Sequence, residues 1–233
     1  MIAPCRYAQL SHDVPHGLHV EFCSLDDDRD IALATARASL SSTEQARAAR
    51  FRFEHDRSRY IRGRGFMRRA LGHCLGLPPA DVPLIEEHNA KPALACQGPG
   101  FNLSHSKGLA VLAINDNGPV GVDLELENRR IDPLSVAPGC FQAHEIDALT
   151  ALPKAKQRAR FLTFWTAKEA LMKLTGAGMS LDPKSIALRL QDGHPTGFDA
   201  PAGHRAVELT LPDLGPDHFI ALASMPHKTR AKL

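Results

Sequence analysis

Residues 101–126 read FNLSHSKGLAVLAINDNGPVGVDLEL. Three apolar runs, 101–105, 109–114 and 120–126, are separated by Ser106-Lys107-Gly108 and Asn115-Asp116-Asn117-Gly118, connections that are short and built from turn residues. The pattern predicts three consecutive strands in an antiparallel meander. The third run alternates strictly, with Val122, Leu124 and Leu126 on one face and Asp123, Glu125 and Glu127 on the other. Carboxylates two apart on a strand are separated by roughly 7 Å along the backbone, so their side chains can converge on one divalent cation. Magnesium suits such a pair, because it takes one or two protein carboxylates and fills its remaining positions with water and phosphate oxygens. The wet face of a half-exposed sheet fits the same pattern. The meander would bring His105 to the end of the sheet that carries Asp123 and Glu125. There Ser104, His105 and Ser106 suit a phosphate, or simply satisfy the backbone of a turn.

Upstream, helical spacing begins near Ile31. Ser42 offers an N-cap before Thr43-Glu44-Gln45, and a long helical segment over 43–75 is expected to break near His55-Asp56 and to end at Pro78-Pro79. Strands are expected over 19–24 and 82–86. Downstream, helices are expected over 142–152 and 154–174, closed by Gly176 and Gly178, then strands over 185–190, 205–211 and 219–224, and a frayed basic tail from 227. Helices followed by strands, twice, indicate an α+β fold rather than a doubly wound parallel sheet. The helix around Arg59-Tyr60 matches that around Trp165, and 111–114 matches 221–224. This weak internal repeat divides the chain near Gly118 into halves 1–118 and 119–233.

The helix over 161–173, FLTFWTAKEALMK, carries an apolar stripe of Phe161, Phe164, Leu171 and Met172 with Lys168 inside it. Trp165, Glu169 and Lys173 follow one edge at i, i+4 and i+8. Charge buried this way is costly unless it is paired or bound to an ion, although a snorkelling lysine beside a Glu–Lys pair fits as well. Between Arg47 and Arg69 stand nine arginines against only Glu54 and Asp56. Arg59, Arg62 and Arg69 fall on one side, away from Phe53, Tyr60, Met67 and Leu71. Guanidinium groups grip phosphate with two parallel bonds, so a nucleic-acid-binding module built on 47–69 is the alternative reading. Against it stand a net charge of only +2, from 28 Lys+Arg and 26 Asp+Glu, and the lack of interleaved aromatic residues.

The 233 residues are 43 % hydrophobic and 23 % charged, which excludes disordered, collagen-like and disulfide-scaffold classes. The longest apolar run, 108–114, is far short of the about 20 residues that span a bilayer. The N-terminal text shows no basic head with an apolar run. Five cysteines, at 5, 23, 74, 96 and 140, form no CxxC pair and read as free thiols in a reducing compartment. A cytoplasmic protein with no membrane contact is expected. Walker A, GxGxxG, GxSxG and HExxH motifs are absent.

Taken together, Gly121-Val-Asp123-Leu-Glu125 and, about forty residues on, Trp165-x-x-Lys168-Glu169-x-x-x-Lys173 resemble the 4'-phosphopantetheinyl transferases of the surfactin-synthetase-activating (Sfp-like) group. Lys91-Pro92, Asn102 to His105 and Gly176 to Leu181 resemble further elements of that family, so the likeness runs from Arg47 to Leu190. It implies transfer of the phosphopantetheine arm of coenzyme A to a serine of an apo acyl or peptidyl carrier protein, leaving adenosine 3',5'-bisphosphate. It further implies magnesium, or manganese in its place, on Asp123, Glu125 and Glu169, with Glu169 or a water it holds as base. Lys173 and Lys168 would steady the pyrophosphate and leaving group, Ser104 and His105 would contact the coenzyme phosphates, Lys91 and Pro92 would line the nucleotide pocket, and Arg47 and Arg59 would grip the 3'-phosphate. The family fold is a pseudo-dimer of two similar helix-plus-antiparallel-sheet halves with the active site between them. A monomer with one site per chain is therefore expected.

Overall fold

The computed structural model describes residues 14–86, 91–127, 132–199 and 207–226. The basic tail from 227 lies outside them. The chain is α+β. Its strands are β1 (Leu18–Ser24), β2 (Leu84–Glu86), β3 (Pro92–Leu94), β4 (Gly100–Ser106), β5 (Leu109–Asn115), β6 (Val120–Leu126), β7 (Ala187–Gln191), β8 (His194–Asp199), β9 (Glu208–Thr210) and β10 (His218–Ser224). Its helices are α1 (Leu33–Ala38), α2 (Ser42–Ala49), α3 (Glu54–Leu75), α4 (Pro133–Cys140), α5 (Ala143–Thr150) and α6 (Lys154–Thr175).

Two compact units divide the described residues. The first takes 20–86, 91–98 and 103–112; the second takes 14–19, 99–102, 113–127, 132–199 and 207–226. In the first, Ser41 rather than Ser42 caps α2. Its side chain accepts from Glu44 N, and Glu44 returns a carboxylate oxygen to Ser41 N, forming a capping box. The 43–75 helix is broken at 50–53, earlier than His55-Asp56. α3 ends one turn before the prolines, at Gly76, whose φ of 67° gives a left-handed C-cap. A Cβ on Gly65 would stand 2.6 Å from the backbone of Ala36, so α1 and α3 meet there at a distance only glycine permits. The buried residues of α3 include Ile61, Phe66, Met67, Ala70 and Leu71, whereas Phe53, expected in this stripe, is exposed.

The meander is corrected at its third strand. β5 lies between β1 and β4, so both of its edges are taken, and β6 belongs to a different sheet, ordered β6-β10-β9. β10 pairs antiparallel with β6 along seven residues, Asp123 opposite Ala221 and Glu125 opposite Phe219. The inference that β6 sets its carboxylates beside His105 through the meander loses its basis. α6 packs across β6 and β10 over a core that includes Phe161, Leu162, Phe164, Leu149 and Phe141. A Cβ on Gly121 would fall 1.9 Å from the Ala170 carbonyl, so the helix rests directly on the β6 backbone.

α4 and β8 were not expected from the sequence. Asp132 caps α4 with Pro133 in its first turn, and Asp192-Gly193, both with positive φ, turns β7 into β8. Those signals are present in the text, but a short helix and a short hairpin carry too few periods to stand out.

Candidate active site

Position 121 rests against α6, and period two puts Asp123 and Glu125 on that same face of β6. Asp123 therefore faces a helix, not solvent, and is 4 % exposed, whereas Glu125 is only half-buried. From α6, Lys173 Nζ donates to Asp123 Oδ1 at 2.6 Å and stands 3.8 Å from Glu169 Oε2. Glu169 and Lys173 are one helical turn apart and keep side-chain exposures of 21 % and 26 %. The result is a half-buried cluster in which two carboxylates from different elements surround one cation, an ammonium, with an opening to solvent. That charge pattern also fits a divalent ion held by two carboxylates, its other positions left to water and phosphate oxygens. The three-carboxylate set is not assembled. Glu125 shares the strand face, but no group of three or more His, Cys, Asp or Glu among the described residues is arranged around a metal position.

Lys168 requires a correction. It lies one residue from Glu169, but its side chain is fully buried and its ammonium meets Glu145 Oε2 at 2.7 Å. It also donates to the carbonyls of Cys140, Pro183 and Ile186. Burial pulls its pKa down and the Glu145 carboxylate opposes that shift. With its bonds spent inside the core, Lys168 cannot steady a pyrophosphate. Glu145, missed in the sequence, could have been found as the N3 glutamate of the Gln142-x-x-Glu145 capping box.

In the first unit, Arg47 is exposed and its guanidinium lies 5.6 Å from the centre of the Tyr60 ring. A cleft of about 920 Å³ is lined by Arg47, Arg50, Arg64, Phe51, Leu84 and Ile85 among others. β2, which supplies Leu84 and Ile85, pairs with β3, whose first residue, Pro92, stands opposite Glu86 and directly follows Lys91. Arg59 is not part of its wall. Its Nε and Nη2 donate to Asp26 at 2.6 and 3.0 Å, and this fork holds the Asp26 carboxyl below its ordinary range. Ser104 is buried on β4 and His105, next along, is exposed.

Several arginines of the 47–69 segment are used internally. Arg64 and Arg68 both bond to buried Glu44, and Arg62 bonds to Asp28 and the Leu25 carbonyl. Burial would raise the Glu44 carboxyl, but the Ser41 N–H and the two guanidiniums hold it below its ordinary value. An arginine face for nucleic acid is thereby deprived of three of its members.

Comparison with known proteins identifies the family. The profile of the 4'-phosphopantetheinyl transferase superfamily matches residues 119–221, and that of the 4'-phosphopantetheinyl transferase N-terminal region matches 28–117. The 4'-phosphopantetheinyl transferase HetI of a Nostoc species is 40 % identical over 167 residues, 70 % of each chain. The 4'-phosphopantetheinyl transferase psf-1 of Bacillus pumilus is 39 % identical over 160 residues, 67 % of each chain. The 4'-phosphopantetheinyl transferase Sfp of Bacillus subtilis is 26 % identical over 188 residues, 79 % of this chain and 82 % of that one. The chain belongs to the 4'-phosphopantetheinyl transferase superfamily and is an enzyme of that activity.

Proposed function

We propose that the protein transfers the 4'-phosphopantetheine arm of coenzyme A to a serine hydroxyl of an apo acyl or peptidyl carrier protein, with magnesium, or manganese in its place, and that it acts in the cytoplasm as a monomer. The observation that carries the reading is the Asp123–Lys173–Glu169 cluster on β6 and α6. The serine oxygen attacks the pantetheine-bearing phosphorus, the P–O bond to the second phosphate breaks, and adenosine 3',5'-bisphosphate leaves. Glu169, the more exposed carboxylate, takes the serine proton directly or through a water. Lys173 moves its positive charge from Asp123 to the leaving phosphate, which gains charge as the bond breaks. Asp123 and Glu169, with Glu125 nearby on the strand, are the residues that would hold the divalent ion, whose contribution is to neutralise the pyrophosphate oxygens. Arg47 serves the 3'-phosphate, with Arg59 the second candidate, Lys91 and Pro92 serve the adenosine, and Ser104 and His105 serve the phosphates. Among the described residues, Cys96 and Cys140 are free thiols, which agrees with a reducing compartment. Among the described residues no helix is long and apolar enough to cross a membrane.

Incubation with an apo carrier protein, coenzyme A and magnesium tests the reading. A carrier mass increase of one phosphopantetheine, with release of adenosine 3',5'-bisphosphate, is expected. An unchanged mass across acyl and peptidyl carriers would overturn it.

A further inference from the structure

The Lys168–Glu145 pair joins five segments of the second unit. Lys168 Nζ has three protons and four acceptors: Glu145 Oε2 at 2.7 Å and the carbonyls of Cys140 at 3.1 Å, Pro183 at 3.0 Å and Ile186 at 2.8 Å. The Glu145 carboxylate is equally committed, accepting from Gln142 N and from Leu188 N, both at 2.8 Å. The C-terminus of α4, the first turn of α5, α6, the turn at 183–186 and β7 therefore meet at one ammonium–carboxylate contact. Well-packed apolar residues often stabilise such a position as well or better. What they do not provide is direction. An apolar side chain tolerates sliding and rotation of its helix, whereas an ammonium among four fixed acceptors permits only one setting.

Lys168 is followed at once by Glu169, and Lys173 lies little more than a turn further on. A rotation of α6 that carried Nζ off its acceptors would carry both groups away from Asp123. The same ammonium grips Pro183 and Ile186, which stand where the 176–182 loop returns to the sheet after leaving α6 at Gly176. We propose that Lys168, acting with Glu145, is a positioning residue: it fixes the rotation of α6 and the return of the following loop, so that Glu169 and Lys173 stand opposite Asp123, and it makes no contact with coenzyme A. This rests on the proposed roles of Glu169 and Lys173.

The test uses the full chain with Lys168→Met and, as a milder variant, Glu145→Gln, which keeps a polar side chain at the junction. Displacing reacting groups by about 1 Å costs on the order of a hundredfold in rate. Lys168→Met is expected to lower kcat per coenzyme-binding site by about tenfold to a hundredfold, to leave the KM for coenzyme A within about twofold, and to raise the magnesium needed for half-maximal rate. Glu145→Gln should move the same quantities the same way by less, and it carries the test if Lys168→Met does not fold. Loss of folded protein with an unchanged kcat per site and unchanged magnesium dependence would overturn the proposal, as would a raised KM for coenzyme A at constant kcat. Amide hydrogen exchange supplies a readout independent of transfer: protection over 176–188 should fall in the variants while that of β6 and β10 stays. Unchanged protection there overturns the clamp. A wild-type protein that transfers nothing overturns the enzymatic roles but leaves the exchange result to decide the clamp.

Discussion

At Asp123 a single side chain faces two demands, burial and charge. It is held by Lys173 in the structure, and in the proposed reaction it turns to a divalent ion while the lysine turns to phosphate. Asp123→Ala should therefore abolish transfer without unfolding the chain, a loss of about a hundredfold or more in kcat; near-normal rates at ordinary magnesium would remove Asp123 from the site. Glu169→Gln keeps the shape and removes both charge and basicity. If added magnesium restores its rate fully, Glu169 is a ligand and the base lies elsewhere. A different residue, Glu44, governs stability in the first unit. Its folded-state carboxyl lies below its ordinary value of 4.5, so its contribution is complete above that pH and disappears as pH falls through the lower, folded value. Glu44→Gln, which leaves Arg64 and Arg68 facing an uncharged partner, should cost about 3–5 kcal/mol near neutrality. The difference from the wild type should shrink in denaturant titrations carried into acid; a pH-independent difference would mean that charge is not the cause. Residue types were legible in the sequence at Asp123, Glu169 and Lys173 because strand and helix periods fix which face each occupies. At Lys168 the period also placed the charge correctly, inside the apolar stripe, but its partner is 23 residues upstream by number and belongs to another helix, and no local pattern reports that.

Elements were legible where the period ran long enough and opaque where pairing was non-local. β4, β5, β6, α3 and α6 fall within a residue or two of expectation at most of their ends, while the assignment of β6 to β5 failed because β1, from the start of the chain, holds that edge. The partner β6 does take, β10, comes about a hundred residues later. Gly121 shows what the packing of α6 on β6 requires. Its Cβ would fall on the Ala170 carbonyl, and backbone cannot yield as a side chain does. Gly121→Ala should therefore lift α6 from the strand, destabilising the fold by about 1–3 kcal/mol and reducing kcat, since Glu169 and Lys173 travel with the helix. Thermal unfolding with kinetics on the same sample checks this, and an alanine variant with normal stability and rate would contradict the close approach. α2 and α3 divide the two arginines proposed for the 3'-phosphate in a parallel way. Arg47 lines the cleft beside the β2–β3 hairpin, whereas the fork of Arg59 is engaged by Asp26. Arg47→Ala should raise the KM for coenzyme A more than that for 3'-dephospho-coenzyme A, and Arg59→Ala should discriminate less; the reverse order would return the 3'-phosphate to Arg59.

On the scale of the molecule, each unit carries a 22-residue helix ended by a left-handed glycine, Gly76 or Gly176. The two segments matched in the sequence, 111–114 and 221–224, lie on β5 and β10, the central strands of their three-stranded sheets. Yet a cut at Gly118 would not release the second unit whole, because that unit draws on residues numbered well before it. Asn102 Oδ1 accepts from the buried Val122 N at 2.8 Å, Asp116 N donates to the Gly17 carbonyl, and Gly100 lies so close to the Gly118 carbonyl that a Cβ would fall 2.0 Å from it. A fragment of 119–233 begins β6 without these partners and leaves the Val122 N–H without its acceptor, a loss of about 1–3 kcal/mol for a single buried group, added to the exposed apolar surface. That fragment is expected to aggregate and to show no cooperative thermal transition, while the intact chain sediments as a monomer and binds one coenzyme A. Asn102→Ala, made in the intact chain, isolates the one contact and should lower stability by about the cost of that group. A soluble 119–233 with a sharp transition would show that the early segments are dispensable to the second unit, and a normal melting temperature for Asn102→Ala would show that the Val122 amide finds water or another acceptor when the asparagine is gone.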